Sequence, residues 1–427
     1  MQKFKLLPIT VAVAASLASL SSFAAETDLA ALEQRILELE SQVGDIKYVD
    51  DQQQAVLTSE TTVPDGIVFS GYARYGAHYK SGDERYVDIG TTGRSVGRLG
   101  NEANGGEVQL AKLFEADNGA IWDIVFMADH WEADAWADDG GLSMKKMYAG
   151  VTNVFESQPE LYMWAGRDFH QRPQQGLNDY FWMTHDGQGA GFNNLDFGGA
   201  KLDMGFVGQV KGGLVNDNGR YAITSKLHSI NAGIGQLDLY ANYGFASDEA
   251  DEVGKPKVSD ETAYLVGATL GLGESNKLVV KYGDGADSSV YELKGDYQTF
   301  YASLEGSYAA SEQFIIDYLV SYKDNSGSDL DRENTEYAGI VRPQYQWDDV
   351  HSTWLEAGYG MVDYDDDGEE NAWKVTLSQN VSLGGLPWSR PMLRFYTTVG
   401  DVETKGNTVK TTNVDTLSFG AMFEAWW

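Results

Sequence analysis

The sequence predicts an all-β protein: a transmembrane antiparallel β-barrel over residues 67–427, preceded by a short α-helical coiled coil. Three observations carry this reading. Apolar and polar residues alternate with a period of two through long runs. Short glycine-containing turns alternate with long acidic connections, such as the tract from Asp363 to Glu370. The chain opens like an exported protein, yet no later apolar run is long enough to cross a membrane as a helix.

Residues 1–24 have the form of a secretory signal peptide. Lys3 and Lys5 give a basic start, Leu6 to Leu20 is mostly apolar, and Ser22-Phe23-Ala24 supplies small residues for cleavage. The apolar stretch, broken by Pro8 and serines, falls short of the roughly 20 residues that a spanning helix needs. Export then leaves a soluble protein or a barrel.

Residues 27–48 carry a heptad. Leu29, Ile36 and Val43 occupy one core position, and Leu32, Leu39 and Ile46 the other; Glu33, Arg35, Glu38, Glu40 and Gln42 fall between them. Three heptads are marginal as an isolated helix, so the pattern asks for partner helices, a periplasmic coil of several chains. A single amphipathic helix lying on its own domain is the alternative. Residues 49–66 form a polar linker rich in Gln, Ser and Thr, closed by Pro64.

From Ile67 onward the period is that of strands. Ile67, Phe69, Gly71, Ala73, Tyr75, Ala77 and Tyr79 share one face of the first, with Tyr72, Arg74 and His78 on the other. The last sets Leu417, Phe419, Ala421, Phe423, Ala425 and Trp427 against Ser418, Gly420, Met422, Glu424 and Trp426. A soluble sandwich and a membrane barrel both put apolar side chains on one face, so alternation alone does not choose. Tyr and Trp near strand ends, strands of about 12 residues and the lopsided connections favour the membrane. At roughly 20 residues per strand and connection, the region holds about 16 to 20 strands, wide enough for an aqueous channel.

Composition excludes several functions. The 64 acidic residues against 31 basic ones argue against a nucleic-acid partner, which needs basic patches. No cysteine is present, so disulfides and thiolate chemistry are ruled out. The six histidines show no pair at helical metal-ligand spacing, and neither a Gly-x-Ser-x-Gly elbow nor a phosphate loop occurs. Nothing calls for an enzyme, a cofactor or a metal. Aromatic rings do share the inward face with charged groups, as Tyr72 does with Arg74 and Trp426 with Glu424. That mixture suits sugars, whose C–H faces stack on rings while their hydroxyls exchange hydrogen bonds.

Several short stretches, in order, resemble the maltoporin-type sugar porins across residues 67–427: Gly71-Tyr72-Ala73-Arg74, Arg98-Leu99-Gly100-Asn101-Glu102, Trp131-Glu132-Ala133, Trp164-Ala165-Gly166-Arg167, Gln171-Arg172 with Asp179-Tyr180-Phe181, Gly189-Ala190-Gly191, Trp388-Ser389-Arg390-Pro391 and Glu424-Ala425-Trp426-Trp427. The coiled-coil extension is similar to that of the sucrose-porin branch. The resemblance implies an 18-stranded, trimeric barrel in the bacterial outer membrane, among lipid and lipopolysaccharide, with a long inward loop narrowing each pore.

It also implies site residues. Tyr72, Trp388 and Trp426 look like rings of an aromatic slide. Trp131 resembles a tryptophan contributed by a neighbouring subunit, and Phe181 stands where maltoporin has a constriction tyrosine. Arg74, Arg98, Glu107, Arg172 and Asp179 match a polar track. There are departures: a slide tyrosine falls on Gly105 or Gly106, Gln174 replaces an acid, the cysteine pair is absent, and a mid-chain slide phenylalanine has no counterpart. The function implied is passive, carbohydrate-selective diffusion across the outer membrane. The rival is a general diffusion porin without strong sugar selectivity.

Overall fold

A computed structural model describes residues 57–81, 86–132, 141–210, 217–252, 257–273, 275–406 and 412–427. The signal peptide and the heptad of residues 27–48 lie outside the described residues.

The barrel begins with β1 (Val68–Lys80), β2 (Asn104–Glu115), β3 (Ile121–Glu132), β4 (Ser143–Thr152) and β5 (Tyr162–Asp168). A short hairpin follows, β6 (Gln174–Gln175) and β7 (Tyr180–Phe181), before the wall resumes with β8 (Gly187–Asp196), β9 (Lys201–Val210), β10 (Asp217–Asn231) and β11 (Gln236–Ala246). Next come β12 (Thr262–Leu272), β13 (Asn276–Asp284), β14 (Gln298–Ala309), β15 (Phe314–Ser326) and β16 (Asn334–Gln346). The last four are β17 (His351–Tyr364), β18 (Glu369–Ser382), β19 (Met392–Lys405) and β20 (Thr412–Trp426).

Eighteen strands form one antiparallel sheet, with the β6–β7 hairpin standing apart from it. β20 pairs back onto β1 from Tyr72↔Trp426 to Lys80↔Ser418, which closes the sheet and leaves no edge.

The faces settle the choice that alternation left open. On β18, Lys374, Thr376, Ser378 and Asn380 are 0% exposed, whereas Trp373 and Leu377, at alternate positions, are 45% and 52% exposed. Polar side chains point in and apolar ones point out, the reverse of a soluble sandwich and the arrangement of a barrel in lipid. Outward rings gather in two belts, Tyr243, Tyr264, Tyr337 and Tyr359 at one end of the strands and Phe69, Trp122, Tyr345 and Trp427 at the other.

Residues 116–120, 197–200, 232–235, 310–313 and 347–350 are tight turns at one end; the stretches between strands at 81–103, 169–186, 247–261 and 285–297 are long and lie at the other. The tract from Asp363 to Glu370 is not a long connection: β17 runs to Tyr364 and β18 starts at Glu369, so its acids flank a turn of residues 365–368. β1 starts and β20 ends at the turn side.

The family resemblance implies one inward loop, but two long connections meet inside the barrel and a third joins them. Residues 86–103 place Val87, Ile89 and Val96 with Val362 and Ala372, and Leu99 with Trp354 and Met392. The connection 169–186 lays Trp182 and Met183 into a cluster with Val207, Leu265 and Val279 of the inner wall, to which 285–297 adds Val290, Tyr291 and Leu293. The first two touch backbone to backbone, Arg94 N–H donating to Asn178 O at 2.6 Å and Arg98 N–H to Leu177 O at 2.8 Å. Gly93 fits this crossing because a Cβ there would stand 2.5 Å from Asn178 O.

A candidate solute path at the loop crossing

β1 and its two neighbours bring a mixed aromatic and charged surface to the inner face. Tyr72 pairs with Glu107 on β2 and with Trp426 on β20, and opposed residues of an antiparallel ladder share a face. Arg74 and Glu424 lie two residues along from that pair, so they too point into the lumen.

Trp131 joins this surface from β3. It pairs with Gly105 near the end of β3, and Asp129 pairs with Glu107, which puts Trp131 on the inner face of its own barrel. Its ring stacks on Tyr72, centroids 6.0 Å apart and planes at 24°. Gly105 makes the room: a Cβ there would sit 2.4 Å from Trp131 Cε3. The Trp131 ring thus occupies the space beside Gly105, against Tyr72 of its own chain.

Glu424 is the hub beneath these rings. It accepts from the Tyr72 hydroxyl at 2.6 Å and from Arg390 Nε at 2.8 Å, pairs with Arg394, and lies 3.7 Å from Arg98. Arg394 reaches Glu102 on its other side, at 2.5 Å. Glu102, Arg390, Arg394 and Glu424 were not assigned roles from sequence; Glu424 was placed on the inner face, but its partners arrive from remote segments. The Arg390 guanidinium covers the Trp426 ring at 4.3 Å. Trp388, two residues earlier in the turn-side connection 383–391, is 59% exposed and stands apart from the Tyr72–Trp131 stack.

The β6–β7 hairpin brings further groups to this surface. Gln175 and Tyr180 pair with each other and face the wall, where Gln175 Nε2 donates to Ser303 at 2.7 Å and its Oε1 accepts from the Tyr301 hydroxyl. Gln174 and Phe181, the other pair, fall on the hairpin's opposite face. Phe181 lies against Arg172, whose guanidinium is 4.2 Å from the Phe181 ring and 4.2 Å from that of Phe169, with Asp186 at 3.3 Å.

Asp179, at the hairpin tip, binds Arg74 and Arg98 at 3.0 Å each and accepts from Gln174 Nε2 at 3.3 Å. An acid at position 174 would repel Asp179, so glutamine suits this geometry. Its φ of 53° is a left-handed conformation that aspartate tolerates better than most residues. Burial alone would raise the Asp179 carboxyl, but Arg74 and Arg98 outweigh it and hold it below the usual carboxylate range. Arg74 also donates to Ala103 O at 3.0 Å, so this nearly buried side chain braces the crossing, while Arg98, Arg172 and Asp179 retain more exposure. Glu107 is nearly buried beside Tyr72.

A closed barrel with polar groups inside, apolar groups outside and loops narrowing its lumen is built to pass solutes through a membrane. The family model for LamB porin matches residues 67–427. The chain belongs to the LamB porin family. As a porin it is a passive channel of the outer membrane, crossing it with strands.

Solved structures of similar fold include OccD3 (OpdP) of Pseudomonas aeruginosa, 10% identical over 87% of this chain and 94% of that one, TM-score 0.48. A triple mutant of the Rhodopseudomonas blastica porin is 15% identical over 84% of this chain and 100% of that one, TM-score 0.42. The anion-selective porin of Comamonas acidovorans is 11% identical over 85% and 99%, TM-score 0.40.

Proposed function

We propose that this LamB-family porin is selective for carbohydrate, passing disaccharides or short oligosaccharides by diffusion along Trp131, Tyr72, Phe181, Trp426 and Trp388. The observation that carries this reading is the Tyr72–Trp131 stack on the same inner face as Arg74 and Glu107. Sugar rings gain from stacking on such a surface, and their hydroxyls from ionised partners. Arg98, Arg172 and Asp179 are the groups best exposed to serve them, with Arg74 and Glu107 behind. Each contact in a wet lumen is weak, on the order of 1 kcal/mol, which lets a solute leave as well as enter.

The general-porin reading drew its support from the absent ring at Gly105. The Trp131 ring fills that space, which weakens the objection. The protein assembles as a homotrimer surrounded by lipid and lipopolysaccharide, with its N-terminal extension in the periplasm; the heptad supports a trimeric coil. Single-channel recording against mono-, di- and oligosaccharides tests the selectivity. Saturable current blockage by one size class is expected; blockage by none overturns it.

A further inference from the structure

Residues 57–66 read in sequence as a polar connector, yet they are tied to the barrel at every step. Leu57 is 8% exposed and belongs to the buried cluster that includes Leu113, Ile121 and Tyr162, on which Val63, Val68 and Ala111 also pack. Register puts these partners inside the barrel. Val68 pairs with Ala111, and Leu113 with Asp123, whose carboxylate accepts from the Tyr162 hydroxyl at 3.0 Å. All lie at the turn-side ends of β1, β2, β3 and β5.

The segment has its own internal geometry. Thr61 N–H donates to Thr58 O at 3.1 Å and Thr58 N–H to Thr61 Oγ1 at 2.9 Å, closing a turn. Ser59 Oγ then donates to Glu160 Oε1, in the connection 153–161, at 2.6 Å. At the rim, Lys112 Nζ gathers the carbonyls of Asp65 and Gly66 at 3.1 Å each. Lys112 alternates with Ala111 and Leu113 and so comes from the outer face. An apolar inner wall at Ala111, Leu113 and Ile121 is out of place in a watery lumen, and Leu57 and Val63 of this segment share its packed cluster.

We infer that residues 57–66 form a fixed strap across the turn-side mouth, seated by Leu57 and Lys112, which narrows the channel's exit. The strap acts on any solute, so it stands or falls independently of sugar selectivity.

The chain holds no cysteine, so single cysteines report accessibility cleanly. Ala111→Cys and Leu113→Cys would be labelled with a bulky hydrophilic maleimide in the full chain, with and without Leu57→Asp plus Lys112→Gln. Heat-modifiable gel mobility would verify that each barrel is folded. The expected result is a several-fold gain in labelling and a higher single-channel conductance once the strap is unseated. Folded variants whose labelling does not rise overturn the seating. Labelling that rises while conductance stays the same overturns the narrowing. Should the double variant fail to fold, Leu57→Ser alone is read by the same two measurements.

Discussion

The Trp131 ring rests on that of Tyr72, and only a glycine at 105 leaves space for it to do so. Arg74 sits 5.1 Å from the Trp131 ring centroid, fixed in turn by Asp179 and Ala103 O. The stack is therefore positioned by a backbone gap on one side and a braced cation on the other. Gly105→Tyr should expel Trp131 and rebuild the face with a different ring. Sugar blockage in that variant should change as much as in Trp131→Ala, with the barrel still folded. If Gly105→Tyr matched the parent channel in affinity and conductance, the seating of Trp131 would not matter to the path.

Glu424 holds Tyr72, Arg98, Arg390 and Arg394 from a fully buried position. Removing one partner of a buried ion pair costs roughly 3–5 kcal/mol, because the remaining charges lose their compensation. Glu424→Gln should lower the melting temperature of the folded barrel more than Tyr72→Phe, which loses the 2.6 Å hydrogen bond to Glu424, worth about 1.5–3 kcal/mol, and a long 3.4 Å one from Arg74. Equal, small shifts in both variants would show that water in the lumen compensates the arginines.

Acid should loosen the base of the 169–186 loop. Burial lowers His170 to about 4, against a smaller opposing influence from Asp203, and lowers His185 to about 3, with His170 adding to the effect. The unfolded chain takes up these protons near pH 6.5, whereas the folded barrel resists them down to those values. Stability should therefore fall as pH drops from about 6.5 towards 4. Asp88, which burial pushes up to about 6, works in the opposite direction. His170→Gln isolates the histidine contribution, because Asp88 is unchanged in both proteins. A melting temperature that declines less steeply with acid in the variant is expected; identical slopes would contradict it. Asp179, held below 3.8, keeps its ion pairs through this interval and loses them only at lower pH.

Facing predicts opposite outcomes for neighbouring substitutions on β20. Phe423 is exposed on the outer face, while Trp426 pairs with Tyr72 inside. Phe423→Asp puts a charge towards lipid at a cost of about 2 kcal/mol or less, depending on depth. It should reduce the yield of folded barrel. Trp426→Asp should fold and alter sugar affinity. Equal assembly defects would contradict the assigned faces.

The wall was legible because its signal is local. A period of two places Tyr72, Arg74, Glu424 and Trp426 inside and Phe69, Phe423 and Trp427 outside without knowledge of any partner strand. The lumen filling was not. Val87, Ile89, Val96 and Leu99 are scattered apolar residues in a glycine-rich connection, and their burial depends on Trp354, Val362 and Met392, far along the chain. Trp131 shows the same limit at one residue. Its face followed from strand register, but its resting place depended on Gly105 in the adjacent strand. Arg394 carries no motif of its own, and the stretch Trp388-Ser389-Arg390-Pro391 names no partner for Arg390; both join the site through Glu424 on β20.

Recognition of sugar by the inward rings is open to direct measurement. Planar-bilayer recording on the parent channel and on a variant with Tyr72→Ala, Trp388→Ala and Trp426→Ala together, using a linear oligosaccharide and a compact disaccharide, addresses it directly. Saturable blockage is expected in the parent, several-fold weaker blockage in the variant, and ion conductance that is unchanged or higher. Blockage of equal strength in the two channels would contradict the aromatic path, and no blockage in either would leave a general diffusion porin in its place.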